Sequence, residues 1–247
     1  MDLSKMINHS FSVITKITVF SFLVFGSVAC KSTESAHTNQ SQTTQAASTE
    51  TAGLSDAEME ELFWARQDSA RMNFTEDDVK FMTGMIAHHS QALIMSGLAP
   101  ENGASSQVQT LAARIINAQK DEIKLMQTWL RDREQPVPEV HIDGLKMMIH
   151  GLGDHHMHMD HTNMVGMLSP EQLQELSEAK GKEFDRLFLK YMIEHHKGAV
   201  HMVTELFNTD GATRDEAAFR VASDIQVDQR TEIARMQLML DNMTASN

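Results

Sequence analysis

Only one cysteine, four prolines and twelve glycines occur among 247 residues. A single thiol excludes an intramolecular disulfide framework and any zinc site built on several thiolates. Sparse proline and glycine leave long uninterrupted stretches, which favours helices over many short strands. Basic residues are also scarce: 21 Lys and Arg face 34 Asp and Glu, a formal charge of −13. Without clustered cations to neutralise phosphates, the composition argues against nucleic acid as a partner. No Ser-His-Asp or phosphate-loop arrangement is present either. What the chain has in excess is methionine, 19 residues, and histidine, 13.

The first thirty residues read as an address. Lys5 and Lys16 precede an apolar run over residues 17–29, which Cys30 follows directly. The run is too short to span a bilayer and suits the apolar region of a signal peptide. Ser27-Val28-Ala29-Cys30 resembles a bacterial lipobox, with Ser27 where an aliphatic residue is usual. Residues 1–29 are therefore expected to be a signal peptide and Cys30 the lipidated N-terminus. Ordinary cleavage before a structural cysteine is the alternative. Residues 30–54 are polar and low in complexity, like a tether between membrane and domain. Residues 1–29 carry Asp2, Lys5 and Lys16, net +1, so the remainder carries −14 against −13 for the whole chain. Export would place the rest in the cell envelope, facing the periplasm or the exterior.

Beyond the tether the sequence predicts helices at 55–72, 76–98, 105–134, 170–180, 183–207 and 213–242. Ser55 with Glu58 and Ser169 with Gln172 fit capping boxes, and Thr75 precedes three acids suited to a helix start. Residues 81–95 align with 188–202, with seven of fifteen positions identical. Residues 112–130 align with 222–240, with eight of nineteen identical. Each copy is a helix–loop–helix unit with one apolar stripe per helix, and two copies together make a four-helix bundle. The organisation is a first helical repeat with a leading helix over 55–140, a His/Met-rich segment over 141–168, and a second repeat over 169–247. The leading helix, with Leu62, Phe63 and Trp64, is expected to pack on the bundle, or else to form a partner-binding patch.

The pattern Met-Ile-x-His-His-x-x-Ala, followed about thirty residues on by Gln-x-x-Glu-Ile-x-x-Met, resembles the domain-of-unknown-function family 305 and is found here twice, as two tandem copies. Phe184-Asp185-Arg186-Leu187-Phe188-Leu189 and Met164-x-Gly166-Met167 before Ser169-Pro170 share the likeness. The resemblance implies an all-α, ferritin-like bundle in exported bacterial proteins, with copper binding as the family's best supported role.

The residues themselves point the same way. On a helix Phe81, Met85, His88, Ala92 and Met95 fall within about 80° of one another, with His89 on the flank. Phe188, Met192, His195, Ala199 and Met202 repeat the stripe, flanked by His196, with His201 just before Met202. Thioether and imidazole together suit Cu(I) and, by the same softness, Ag(I). Such a stripe also serves as ordinary core. Gln119 and Gln229 lie at the right level to bond a buried histidine, with Glu122 and Glu232 one turn further. Between the repeats, residues 141–167 hold six His and six Met in 27 positions. At their centre stand His155, His156, Met157, His158 and Met159, then Asp160 and His161. A core does not explain that run, whereas metal binding does.

Three functions compete. The first is an envelope protein that sequesters copper or delivers it to a copper-transfer partner, with a role in metal tolerance. The second is a ferritin-like di-iron or di-manganese oxidase, which needs Glu-x-x-His pairs on helices. The one Glu-x-x-His in the chain is Glu34–His37, in the tether, so an enzyme is not expected. The third is a partner-binding helical lipoprotein with incidental metal binding.

Overall fold

The computed structural model describes residues 53–152 and 164–245. Cys30, the signal-peptide region and the central run of His155, His156, Met157, His158, Met159 and His161 lie outside the described residues. Six helices and one two-stranded sheet follow in order: α1 Asp56–Arg71, α2 Glu76–Gly97, α3 Ser106–Arg131, β1 Glu139–Asp143, β2 Lys146–His150, α4 Pro170–Glu178, α5 Gly181–Asn208 and α6 Glu216–Ala245.

Local chemistry explains the boundaries. Ser55, Thr75 and Ser169 each accept from the N3 backbone, while Glu58, Asp78 and Gln172 bond back to the cap. Asp78 also accepts from the Thr213 backbone at 2.7 Å, which ties the start of α2 to the loop before α6. α3 stops three residues short of the expected 134: Glu134 adopts φ 56°, and Gln135 donates back to the Leu130 carbonyl at 2.9 Å. α6 starts at Glu216 because Asp215 Oδ1 accepts from Ala217 and Ala218.

Helices α2, α3, α5 and α6 share two apolar clusters. One holds Met82, Met85 and Ile86 of α2, Met126 and Leu130 of α3, Ala199 and Val203 of α5, and Ala222 and Ile225 of α6. The other holds Ala92 and Met95 of α2, Leu111 and Ile115 of α3, Phe188 and Met192 of α5, and Met236 of α6. Along α2 and α6 the first cluster precedes the second, and along α3 and α5 the order is reversed. Helix α2 therefore runs antiparallel to α3 and to α5, while α3 and α5 run parallel and are joined by one long crossover. Between the two clusters each helix contributes polar residues, so a transverse polar layer divides the core.

The crossover contains a feature the composition conceals. β1 and β2 form an antiparallel hairpin in which Glu139 pairs with His150 and Asp143 with Lys146. Gly144 takes φ 58° at the first turn position, as a two-residue II′ turn requires. Asn102 secures the far end of the crossover: its side-chain amide reaches the carbonyls of Leu176, Ser177 and Ala179 at 2.9–3.1 Å. Helix α1 departs from expectation, because it buries none of its residues and leaves Phe63 and Trp64 more than half exposed.

Candidate metal centre: the histidine layer

Repeat spacing puts adjacent histidines at the midpoint of α2 and of α5, and the bundle brings all four together. His88, His89, His195 and His196 are each at most 1% exposed. The rings of His88 and His195 meet across the α2–α5 contact with centroids 3.9 Å apart. The flanking rings stand further off, 6.4 Å from His88 to His89 and 6.2 Å from His195 to His196.

Each repeat orients its outer histidine with a glutamate from the partner helix. His196 Nε2 bonds Glu232 Oε2 at 2.6 Å, and His89 Nε2 lies 2.6 Å from Glu122 Oε2 but off the line of a hydrogen bond. The expectation that Gln119 and Gln229 would bond the histidines is thus corrected: Glu232 bonds His196, Glu122 stands against His89, and both glutamine side-chain oxygens have no partner. His88 Nε2 meets the Val165 carbonyl at 3.2 Å, so that nitrogen carries the proton and Nδ1 is the bare lone pair. His195 makes no hydrogen bond of good geometry, only a weak approach to the His88 backbone. In all four rings Nδ1 is buried and unpartnered. A buried polar atom left unpaired costs about 1–3 kcal/mol, so four in one layer is a costly arrangement for a purely structural core.

Two of the four, His88 and His195, are held neutral. Burial, then the neighbouring His89, pushes the His88 imidazole down to about 3. Burial and the adjacent His88 hold His195 well below the usual histidine range. Near the layer, Asp228 is raised by burial and by the surrounding carboxylates Glu122, Glu232 and Asp224. A stability profile follows. Unfolded histidines take up protons near their ordinary 6.5, whereas folded His88 resists to about 3, so the unfolded state binds more protons between those values. The stability contributed by neutral His88 is complete above about pH 6.5 and is lost as pH falls toward 3. Urea midpoints of the metal-free protein should be level above neutrality and decline on acidification; a midpoint that rises on acidification would contradict a neutral His88.

The structure separates the remaining sequence-predicted ligands. Met85 packs in one apolar cluster, Met95 and Met192 in the other, and half-buried Met202 lies against the first. His201 is corrected most clearly: it points to solvent, 48% exposed, beside Glu205 at 3.3 Å. Among the described residues no three His, Cys, Asp or Glu side chains converge as ligands to one ion.

Sequence reasoning missed the strap that closes the layer. Residues 164–168 cross α2 and α5, with Gln91 bonding both the backbone N–H and the carbonyl of Leu168. Met164 Sδ comes within 3.6 Å of the place a Gly84 side chain would occupy, and Met202 Cε within 3.5 Å, so two methionines meet one turn before His88. The available signal was the repeat itself, since Gln91 aligns with Gly198.

These features define a helical protein with a buried, histidine-lined layer between two helical hairpins. The chain belongs to the family called domain of unknown function 305 (DUF305), whose profile matches residues 78–240. That match spans both hairpins in one stretch and lends no support to two separate copies of the family. A DUF305 fragment from Deinococcus radiodurans is 29% identical at TM-score 0.55, covering 68% of this chain and 98% of that one. A DUF305 protein from Streptomyces coelicolor, named as secreted, is 26% identical at TM-score 0.53, covering 68% and 92%. CopM in its Cu(II)-bound form is 29% identical at TM-score 0.49, covering 67% and 96%. Among curated proteins none matches the chain.

Proposed function

We propose that the protein binds copper in the bacterial cell envelope, taking Cu(I) and, by the same softness, Ag(I), to sequester the ion or pass it to a copper-transfer partner. The observation that carries this reading is the set of four buried, unpartnered Nδ1 atoms in one histidine layer. Two of those rings, His88 and His196, have Nε2 hydrogen-bonded to a backbone carbonyl or a glutamate, the arrangement that fixes the tautomer of metal-ligating histidines. The paired rings of His88 and His195 offer two neutral nitrogen donors, and the Met164 and Met202 side chains meet at Gly84, one turn before His88. Zinc sites use three or four protein ligands, which this layer does not assemble. Two or three soft donors suit a monovalent d10 ion. Glu122 and Glu232 would balance its buried charge.

The role is binding rather than catalysis. The likeness to CopM is too loose to place one ligand on another, so the argument rests on this chain's own side chains. Parallel α3 and α5 joined by one long crossover support the ferritin-like description. Residues 17–29 followed by Cys30 support export with a lipid anchor, and no helix among the described residues is long and apolar enough to cross a membrane.

Anaerobic competition for Cu(I) against a chromogenic chelator tests the reading. The purified protein should hold copper the chelator cannot extract. Exchanging Glu122→Gln and Glu232→Gln together should weaken that retention about 10–100-fold, the usual effect of removing the groups that orient ligating histidines. Replacing His155, His156, His158 and His161 by Ala should remove low-affinity capacity and leave helix content intact. Copper retention no stronger than that of a generic His-rich peptide would reject the proposal.

A further inference from the structure

The β1–β2 hairpin, which packs against α2, collects a second set of donors on its outward face. Its register sets His150 opposite Glu139 and Met148 opposite His141. Side chains directly opposite in an antiparallel pair share a face and successive ones alternate, so these four stand together and Val140, Ile142, Met147 and Ile149 take the other face. Burial agrees: Glu139, His141, Met148 and His150 are all exposed, while Val140 and Met147 pack against the two core clusters. Opposed Cβ atoms stand about 4.5–5.5 Å apart and diagonal ones about 7–8 Å, which puts the two imidazoles on one diagonal and the thioether and carboxylate on the other.

We infer that this outward face is a separate copper site, taking Cu(II) through His141, His150 and the Glu139 carboxylate, and Cu(I) through the same imidazoles and Met148. Imidazole with carboxylate suits Cu(II), and a thioether shifts preference to Cu(I). The backbone frame is already fixed. Gln127 Nε2 donates to the Pro138 carbonyl at 2.8 Å just before β1. Just after β2, Gly151 at φ 77° comes so close to Val137 that a Cβ there would lie 2.5 Å from the Val137 carbonyl oxygen. As they stand, Glu139, His141 and His150 do not converge on one point. Being exposed, they need only rotate about their own bonds to close on an ion. The inference extends the copper reading to a surface site, and it stands or falls apart from the buried layer.

Titrating the full-length protein with Cu(II), followed by electron paramagnetic resonance, tests it. The paired exchange His141→Ala and His150→Ala should lose one equivalent of nitrogen-ligated Cu(II) with helix content unchanged. Replacing His155, His156, His158 and His161 by Ala should keep that equivalent, and Met148→Leu should keep Cu(II) while reducing Cu(I) held outside the layer. An unchanged Cu(II) equivalent in the hairpin variant, or its disappearance with the central run alone, would overturn the site. Failure of the buried layer would show differently, as chelator-resistant Cu(I) that is indifferent to His88→Ala and His195→Ala.

Discussion

Gly198→Ala should be among the most damaging single substitutions in the protein, costing about 3 kcal/mol, the upper range for overpacking a filled core. A Cβ at this position would stand 2.0 Å from the Val165 carbonyl oxygen and 2.8 Å from Gly166 Cα. Both obstacles are backbone, so no side chain can swing aside. Gly166 is equally confined, with φ 85° and a Cβ position 2.7 Å from the Glu194 carbonyl oxygen. Displacing the strap would strip His88 of its Val165 acceptor and Gln91 of its two bonds to Leu168. Gly97→Ala is the control: nothing lies within 4 Å of its Cβ position, so it should be neutral or slightly stabilising. Urea unfolding of the two variants decides the matter, and equal midpoints would show that the strap does not bear on the fold.

The second large effect lies where the end of α3 meets the start of α6. Arg133 and Asp215, 5% and 2% exposed, form a buried ion pair that links the end of α3 to the start of α6. Arg133 also donates to the Trp129 carbonyl at 3.1 Å and lies 4.3 Å over the Trp129 ring. Asp215→Ala leaves that guanidinium buried without its carboxylate, which costs about 3–5 kcal/mol, and removes the α6 cap, worth about 1 kcal/mol more. Arg133→Ala should cost less, because Asp215 keeps its backbone donors from Ala217 and Ala218. Denaturant midpoints should therefore fall further for Asp215→Ala, and the reverse order would show that the cap contributes little.

Much of this architecture was legible in the chain. Capping residues at Ser55, Thr75 and Ser169 marked three helix starts, because a cap is a local bond between residues three apart. The repeat exposed the histidine pairs, because 88–89 and 195–196 recur within the same apolar stripe. The level at which Glu122 meets His89 depends instead on how α2 and α3 pack, which no single helix encodes. The reading of Gln119 and Gln229 was therefore one turn off. The hairpin escaped notice for a different reason. Val140, Ile142, Met147 and Ile149 alternate around Gly144-Leu145, a glycine-led two-residue hairpin signal, but His141, Met148 and His150 made the segment look like a simple donor-rich run. The strap was hidden because its signal is a mismatch between the repeats, Gln91 against Gly198. His201 shared the stripe's composition but not its face.

The most direct test of the central claim is a long-range proton–nitrogen spectrum of the protein with isotope-labelled histidine, titrated anaerobically with Cu(I). The proposal expects the His88 and His195 rings to begin neutral and their Nδ1 signals to shift on the first addition of copper, with His201 unaffected. If the first copper shifts only histidines outside the layer, and His88 and His195 stay unmoved through saturation, the buried layer is structural core and the copper centre lies elsewhere.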